Sequence, residues 1–516
     1  MKNRFFFAGI ISVAFFAGTK VDAQDAPIAK PSDWVDIRQG TSTEGTEEKL
    51  KVSDGMTLPL VGTPWGFTDW SVQTSEEVNH RRFFDPESDQ FAGIRATHEP
   101  CYAAGDHGQM LILPQVGPPV LEEKKRLTTY DRTSAVFHPA YLNLNLPQSR
   151  VRLEMAVSSR CATFRFTFDV KDKTGRILLN PAGPSTIDFT DSGFKTTSGY
   201  HRKTAPDNFK VYYVGELDRP ITKSVGFSPR TKQGDSPTGY MEFDLSGNPV
   251  VELKIGSSMV GFDQAKQNLN AEVSGGIEAV KLATTTQWDA QLDRIQVDGT
   301  DEQKKTFYSC LFRALKFPHR LDEITAENKR VHYSPWDGNI HDGPAYTDNG
   351  LWDDYRTRLP LLTLVWPDQM SDICAGWLNA YREAGWLPNW PCPGGLNSMT
   401  GTHADIMFAD AMVKGISGFD YEEAYAAVRK DAFVEGAGTS DFGRSAEVGR
   451  KKLKTYIEKG YLPQDKAFGV SDTLDYCFDD WAIAQAARLT GHMDDLQVLE
   501  KRAIGYRQLW DSEIGM

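Results

Sequence analysis

Along the first half of the chain, apolar positions recur mostly at every second residue. Between Cys161 and Val170, the side chains of Phe164, Phe166, Phe168 and Val170 alternate with Arg165, Thr167 and Asp169. Met241, Phe243 and Leu245 alternate in the same way, and the run VVELKIG follows almost at once. A period of two places one set of side chains on one face of a strand. Turn formers such as Asn180-Pro181 and Gly247-Asn248-Pro249 punctuate these runs. Many short strands separated by turns predict a β-sandwich. Residues 190–208 and 228–238 read as loops.

After about residue 277 the period becomes helical. The stretch KKTFYSCLFRALKF places Phe307, Leu311, Phe312 and Leu315 on one face, and Pro318 ends it. Further helices are predicted near residues 353–365, 369–384, 403–415, 420–432, 443–459, 472–489 and 495–510, with Trp366-Pro367, Gly385 and Gly460 at the junctions. Strands first and helices afterwards predict an α+β chain with separate layers rather than βαβ units. The expected divisions are a β-sandwich over 24–276, a linker helix over 277–302 and helical hairpins over 303–516. Such hairpins close into (α/α) toroids, but the roughly eight helices counted from residue 303 are too few for a six-hairpin ring.

The first 23 residues read as an export signal. Lys2 and Arg4 precede an apolar run through Phe16, and Val21-Asp22-Ala23 supplies a small-residue cleavage site. The protein is therefore expected in the periplasm or outside the cell. A net charge of −13 argues against nucleic acid or an anionic membrane as partner. Six cysteines are too sparse for a disulfide scaffold, and none is spaced as CxxC. Most are expected as buried thiols, with room for one or two bridges. P-loop, GxGxxG, HExxH and GxSxG signatures are absent.

Two stretches concentrate chemistry. In HYSPWDGNIHDGPAYTDNGLWDDYRTRLPLL, Asp353 and Arg356 stand three apart, which on a helix puts them on one face. A carboxylate and a guanidinium together suit vicinal hydroxyls as acceptor and donor, and equally suit a structural ion pair. In LPNWPCPGGLNSMTGTHADIMFADA, Thr402 is placed to cap the next helix, with His403 and Asp405 in its first turn. His403 either touches a ligand or completes a buried polar network, and His98-Glu99 and Asp106-His107 pose the same choice. Trp65, Trp70, Trp336, Trp352, Trp386 and Trp390 lie in polar, turn-rich contexts. An indole there can stack on a sugar ring or fill a core.

Taken together, these segments resemble glycoside hydrolase family 92. The resemblance is carried by DGMTLPLVGTPWGFTDWSVQT and THEPCYAAGDHGQMLILP, then FYSCLFRALKFPHR, LWDDYRTRLPLLTLVWPDQM, GTHADIMFADAMVKGISGFDYEEAY and SDTLDYCFDDWAIAQ, in that order. It runs from about residue 34 to residue 516. It implies a β-sandwich on an (α/α)₆ toroid, and calcium-dependent removal of terminal α-mannose from mannose-containing glycans with inversion. In such chemistry one carboxyl group protonates the leaving oxygen while another activates water. By match to family motifs, Trp65, Trp352, Asp353 and Arg356 are expected to bind the terminal mannose, with His403 and Asp405 near the pocket. Asp354 and Cys392 depart from the family pattern. The family's general acid, general base and calcium ligands belong to a C-terminal portion expected beyond Met516, so no residue here is given those roles. The toroid is expected to be incomplete, with exposed apolar surface and low stability. A non-catalytic glycan-binding protein and a two-domain glycosidase for another sugar are the alternative readings.

Overall fold

The computed structural model describes residues 29–41, 57–75, 83–99, 105–169, 171–226, 238–396, 398–436, 438–439, 446–463 and 469–515. The expected export signal, Cys101, Val170 and most of the predicted 228–238 loop lie outside the described residues.

The period-two half folds as two antiparallel sheets. One has six strands in the order Asp69–Gln73, Gly93–Thr97, Met110–Val116, Thr174–Pro181, Gly239–Asp244 and Lys223–Val225. The other has eight, running from Ile187–Thr190 through Gly193–Ser198, Val211–Leu217, Val250–Ser258, Cys161–Phe168, Val151–Val157 and Tyr141–Leu146 to Val136–His138. Alternation decides the facing: Phe164, Phe166 and Phe168 are buried, whereas Arg165 and Thr167 are only partly covered. The sheets meet through these side chains. Phe164 packs edge-on against Trp70 of the first sheet at 5.3 Å, and Phe168 against Phe243 at 5.8 Å.

Eleven helices follow among the described residues: α1 Phe262–Glu272, α2 Ile277–Leu292, α3 Asp301–Lys316, α4 Leu351–Asp354, α5 Arg358–Val365, α6 Pro367–Ala384, α7 Ala404–Val413, α8 Tyr421–Phe433, α9 Leu453–Lys459, α10 Gly469–Thr490 and α11 Met493–Ala503. Their ends follow local chemistry. Thr300 accepts the Gln303 N–H at the start of α3, and Asp420 accepts the Glu422 and Glu423 N–H groups at the start of α8. α6 stops where Gly385 turns left-handed, with φ +76°. α10 packs on α7, α8 and α11, and its outward side leaves Val470, Leu474, Phe478 and Trp481 exposed.

The structure departs from the pattern reading in several places. α1 falls inside the segment read as sandwich, because only Ala265 and Leu269 mark its buried face against the last strand. Residues 193–198, read as loop, form a paired strand. The stretch before α4 carries short strands, His319–Arg320, Glu323–Ile324, Arg330–Tyr333, Ile340–Asp342 and Tyr346–Thr347, too brief to give a period. The helix predicted over 443–459 begins only at Leu453, after Lys452 adopts a left-handed conformation. Cys161, Cys310, Cys374, Cys392 and Cys477 form no disulfide among the described residues, and all but Cys310 are buried. Among the described residues no helix is long and apolar enough to cross a membrane.

Candidate functional site

A chain of buried charges joins the two halves. Lys316, the last residue of α3, bonds the Asp69 carboxylate and the Thr63 carbonyl. His319 donates from Nε2 to Asp69 at 3.1 Å and from Nδ1 to Asp348 at 2.7 Å. His107 adds a third contact, placing Nε2 3.1 Å from Asp348. Burial alone would lower the His319 pKa, but bonds to Asp348 and Asp69 reverse this and raise it to about 9. The same histidines hold the Asp348 carboxyl well below its usual range against the opposing effect of burial. His319 is therefore an imidazolium between two carboxylates, an arrangement that satisfies charges in a site shut off from water.

This chain anchors two site segments. The turn Pro64-Trp65-Gly66 is tied to the end of α3 through Lys316 on Thr63 and through the Trp65 N–H on the Leu315 carbonyl at 3.0 Å. Trp65 sits at φ +46°, a strained conformation for a bulky side chain. Its ring is buried edge-on to Trp366 at 6.5 Å, and its indole N–H has no partner among the described residues. Asp348 is likewise left-handed at φ +61° and starts the segment that leads into α4.

Asp353 lies in α4, but that helix ends at Asp354, so Arg356 lies in the following turn rather than on a shared helix face. The structural ion pair belongs to the neighbours. Arg358 bonds Asp354, Asn349 and the Phe317 carbonyl. Asp353 and Arg356 are both exposed. Partial burial, helped by Asp354, raises the Asp353 pKa. The Arg356 guanidinium lies 5.4 Å from the Trp352 ring and 4.6 Å from the Tyr355 ring, and its Nε donates to the Tyr355 oxygen. A Cβ on Gly350 would fall 2.5 Å from the Asp353 carboxylate and 2.9 Å from Trp390. Asp353 and Trp390 thus flank one glycine, and the Trp390 N–H is also without a partner among the described residues.

His403 and Asp405 belong to a layer beneath. His403 is buried, its ring stacked on Tyr355 at 4.1 Å and 15°, and its Nδ1 lies 3.1 Å from Asp479. Thr402 does not cap α7 with its side chain; the hydroxyl instead donates to Asp405 at 2.6 Å and its N–H to Asp479 at 2.9 Å. Arg450, fully buried, bonds Thr402, Asp405 and Asp480. Burial raises the pKa of both Asp405 and Asp431, the latter to about 7; the Asp431 charge raises Asp405 further, whereas Asp431 is lowered by its bond to Asp405, and the pair retains a proton.

Of the residues singled out in sequence, the structure brings Trp352, Asp353 and Arg356 together at the surface and sets His403 and Asp405 below them. Trp65 is in ring contact with Trp366. Trp70 is a core residue. Tyr355, the link between Arg356 and His403, was not singled out, although it lies inside the same motif. Asp69, Lys316 and His319 carried no signal, because the bonds from Lys316 and His319 to Asp69 span about 250 residues and the one from His319 to Asp348 spans 29. Among the described residues no three His, Cys, Asp or Glu side chains come together to hold a metal.

Comparison with known proteins agrees with this architecture. Residues 34–258 match the glycosyl hydrolase family 92 N-terminal domain, and residues 264–516 match the family's catalytic domain. A family 92 inverting mannosidase from Bacteroides thetaiotaomicron superposes with a TM-score of 0.87 at 30% identity, covering 95% of this chain and 66% of its own. A second α-mannosidase of the family from that organism gives a TM-score of 0.80 at 24% identity, covering 94% and 67%. A secreted glycosidase of Arthroderma benhamiae, itself uncharacterised, is 29% identical over 486 residues, 83% of this chain and 57% of the relative. The chain thus spans less than two thirds of the length of the Arthroderma relative and of the first mannosidase. With both domain models matched in order over most of its length, the chain belongs to glycosyl hydrolase family 92.

Proposed function

We propose that this chain recognises the terminal α-linked mannose of mannose-containing glycans, as part of an exported exo-acting mannosidase that works with inversion and calcium. The observation that carries this reading is the release of Asp353 and Arg356 from structural duty. Asp354 and Arg358 make the ion pair, while Asp353 and Arg356 stand exposed beside Trp352. A carboxylate accepts from a sugar hydroxyl, a guanidinium donates to the next, and an indole covers an apolar face of the ring. The inverting mannosidase among the similar structures supports mannose as the sugar.

Inversion requires an acid and a base on opposite faces of the sugar. No described residue is assigned either role, and none is assigned to calcium. A second reading is mannose binding without hydrolysis, by the same exposed pair beside Trp352.

The test is incubation of the protein with a panel of aryl glycosides, with added calcium and with chelator, following the released anomer by NMR. Release of β-mannose from α-mannosides, abolished by chelator, supports the mannosidase. Release of a different sugar overturns the specificity. Mannoside binding with no release selects the second reading.

A further inference from the structure

Beneath the exposed pair, a continuous set of contacts runs from the interior of the helical domain to the Arg356 guanidinium. Asp479 in α10 is fully buried and receives three contacts: the Thr402 N–H at 2.9 Å, the Thr402 hydroxyl at 3.2 Å and His403 Nδ1 at 3.1 Å. These fix the imidazole in both position and rotation. Gly401 closes the other edge of the ring. At φ +77° it is left-handed, and a Cβ there would stand 2.5 Å from His403 Cε1 and 2.6 Å from Nε2. The flat face of the imidazole then carries the Tyr355 ring at 4.1 Å, nearly parallel at 15°. Phe478 meets the same tyrosine at 5.9 Å. The Tyr355 oxygen, held in place by this stack, accepts from Arg356 Nε.

We propose that His403 and Tyr355 are positioning residues that set the direction of the Arg356 guanidinium, and that His403 itself does not touch the sugar. Arg356 needs such a device. It is exposed and lies in a turn, and it has no carboxylate partner among the described residues to hold it. A free arginine carries rotamer entropy that a ligand would have to overcome. With Nε engaged by Tyr355 and the guanidinium lying against Trp352, the terminal nitrogens are left as a preset fork for two adjacent oxygens. The inference rests on the mannose-recognition reading for its ligand, but its geometry can be tested without one.

The experiment uses the whole chain labelled with ¹⁵N-arginine. The Arg356 Nε–H resonance is assigned by its loss in Arg356→Lys. In Tyr355→Phe, which keeps the stack and removes only the acceptor, this resonance is expected to lose its protection from solvent exchange. His403→Phe, which keeps an aromatic face but loses the bond to Asp479, is expected to do the same to a lesser degree. Titration with methyl α-D-mannoside is expected to show about tenfold weaker binding for Tyr355→Phe, the scale of one charge-assisted hydrogen bond. An unchanged Arg356 resonance in Tyr355→Phe overturns the proposal, as does mannoside affinity within about twofold of wild type. Absence of mannoside binding by the wild-type chain would refute the sugar reading alone, since the resonance still decides the positioning role. Tyr355→Phe is a mild change at a packed ring, so it keeps the test valid even if His403→Phe does not fold.

Discussion

His319 offers a stability test of the charge chain that joins the two domains. Its folded pKa of about 9 lies above the ordinary 6.5, a gap of about 2.5 units. At about 1.36 kcal/mol per unit, the bound proton stabilises the folded state by about 3 kcal/mol. The sign follows from the direction of the shift. A group raised on folding contributes fully below its unfolded pKa and loses that contribution as pH rises through the folded one. The stabilisation is therefore complete below about pH 6.5 and gone above about pH 9. In His319→Gln the side chain stays polar but no longer titrates, and Asp348 keeps only His107. Urea unfolding at steps from pH 6 to 9.5, read by tryptophan fluorescence, should give a variant about 3 kcal/mol less stable at pH 6. The difference from wild type should shrink toward zero at pH 9. Comparing the two proteins at each pH cancels the other titrating groups. A constant difference across this range would refute an imidazolium between Asp69 and Asp348.

Other consequences can be checked with simple variants. Asp405 and Asp431 retain a proton that would be lost near 3.8 when unfolded, so the contribution of this pair to stability falls as pH rises from about 4 toward 7. Asp431→Asn keeps a hydrogen-bonding group and removes the ionisation, so its unfolding midpoint should gain on wild type across that interval; a parallel pH profile would count against the shared proton. Gly401→Ala puts a methyl group against the His403 ring at a left-handed position, so a loss of about 1–3 kcal/mol in thermal or urea unfolding is expected. Wild-type stability in that variant would contradict the close packing. Asp354→Asn should destabilise more than Asp353→Asn, because only Asp354 is paired to Arg358. Asp353→Asn is expected within about 0.5 kcal/mol of wild type by the same unfolding assay.

How much of this the sequence announced depends on how far apart the interacting residues are. The phenylalanine alternation in Cys161–Phe168 and the helical face of α3 are local, and the structure repeats them. The Trp352–Arg356 cluster is also local and was visible as a motif. Even so, the break after Asp354 was not, because nothing in Asp354-Tyr355-Arg356-Thr357 stops a helix by itself. The signal lay downstream, in Pro360, which a helix tolerates only in its first turn, where α5 holds it. α1 was hidden by its polarity, since it lies on the face of the eight-stranded sheet, over Val250–Ser258, with only Ala265 and Leu269 as buried apolar residues. The Lys316–Asp69–His319–Asp348 chain could not be read from spacing, because its members are separated by up to 279 positions. His403 posed two alternatives in sequence, and its Asp479 and Tyr355 partners place it in a buried network.

The most direct measurement of sugar recognition is calorimetric titration of the chain with methyl α-D-mannoside and, in parallel, methyl α-D-galactoside. Wild type should bind the mannoside selectively, and Asp353→Asn and Arg356→Lys should each weaken it at least about tenfold with unfolding midpoints unchanged. Equal affinity for both sugars, or mannoside binding that survives in both variants, would contradict the assignment of this surface to terminal mannose.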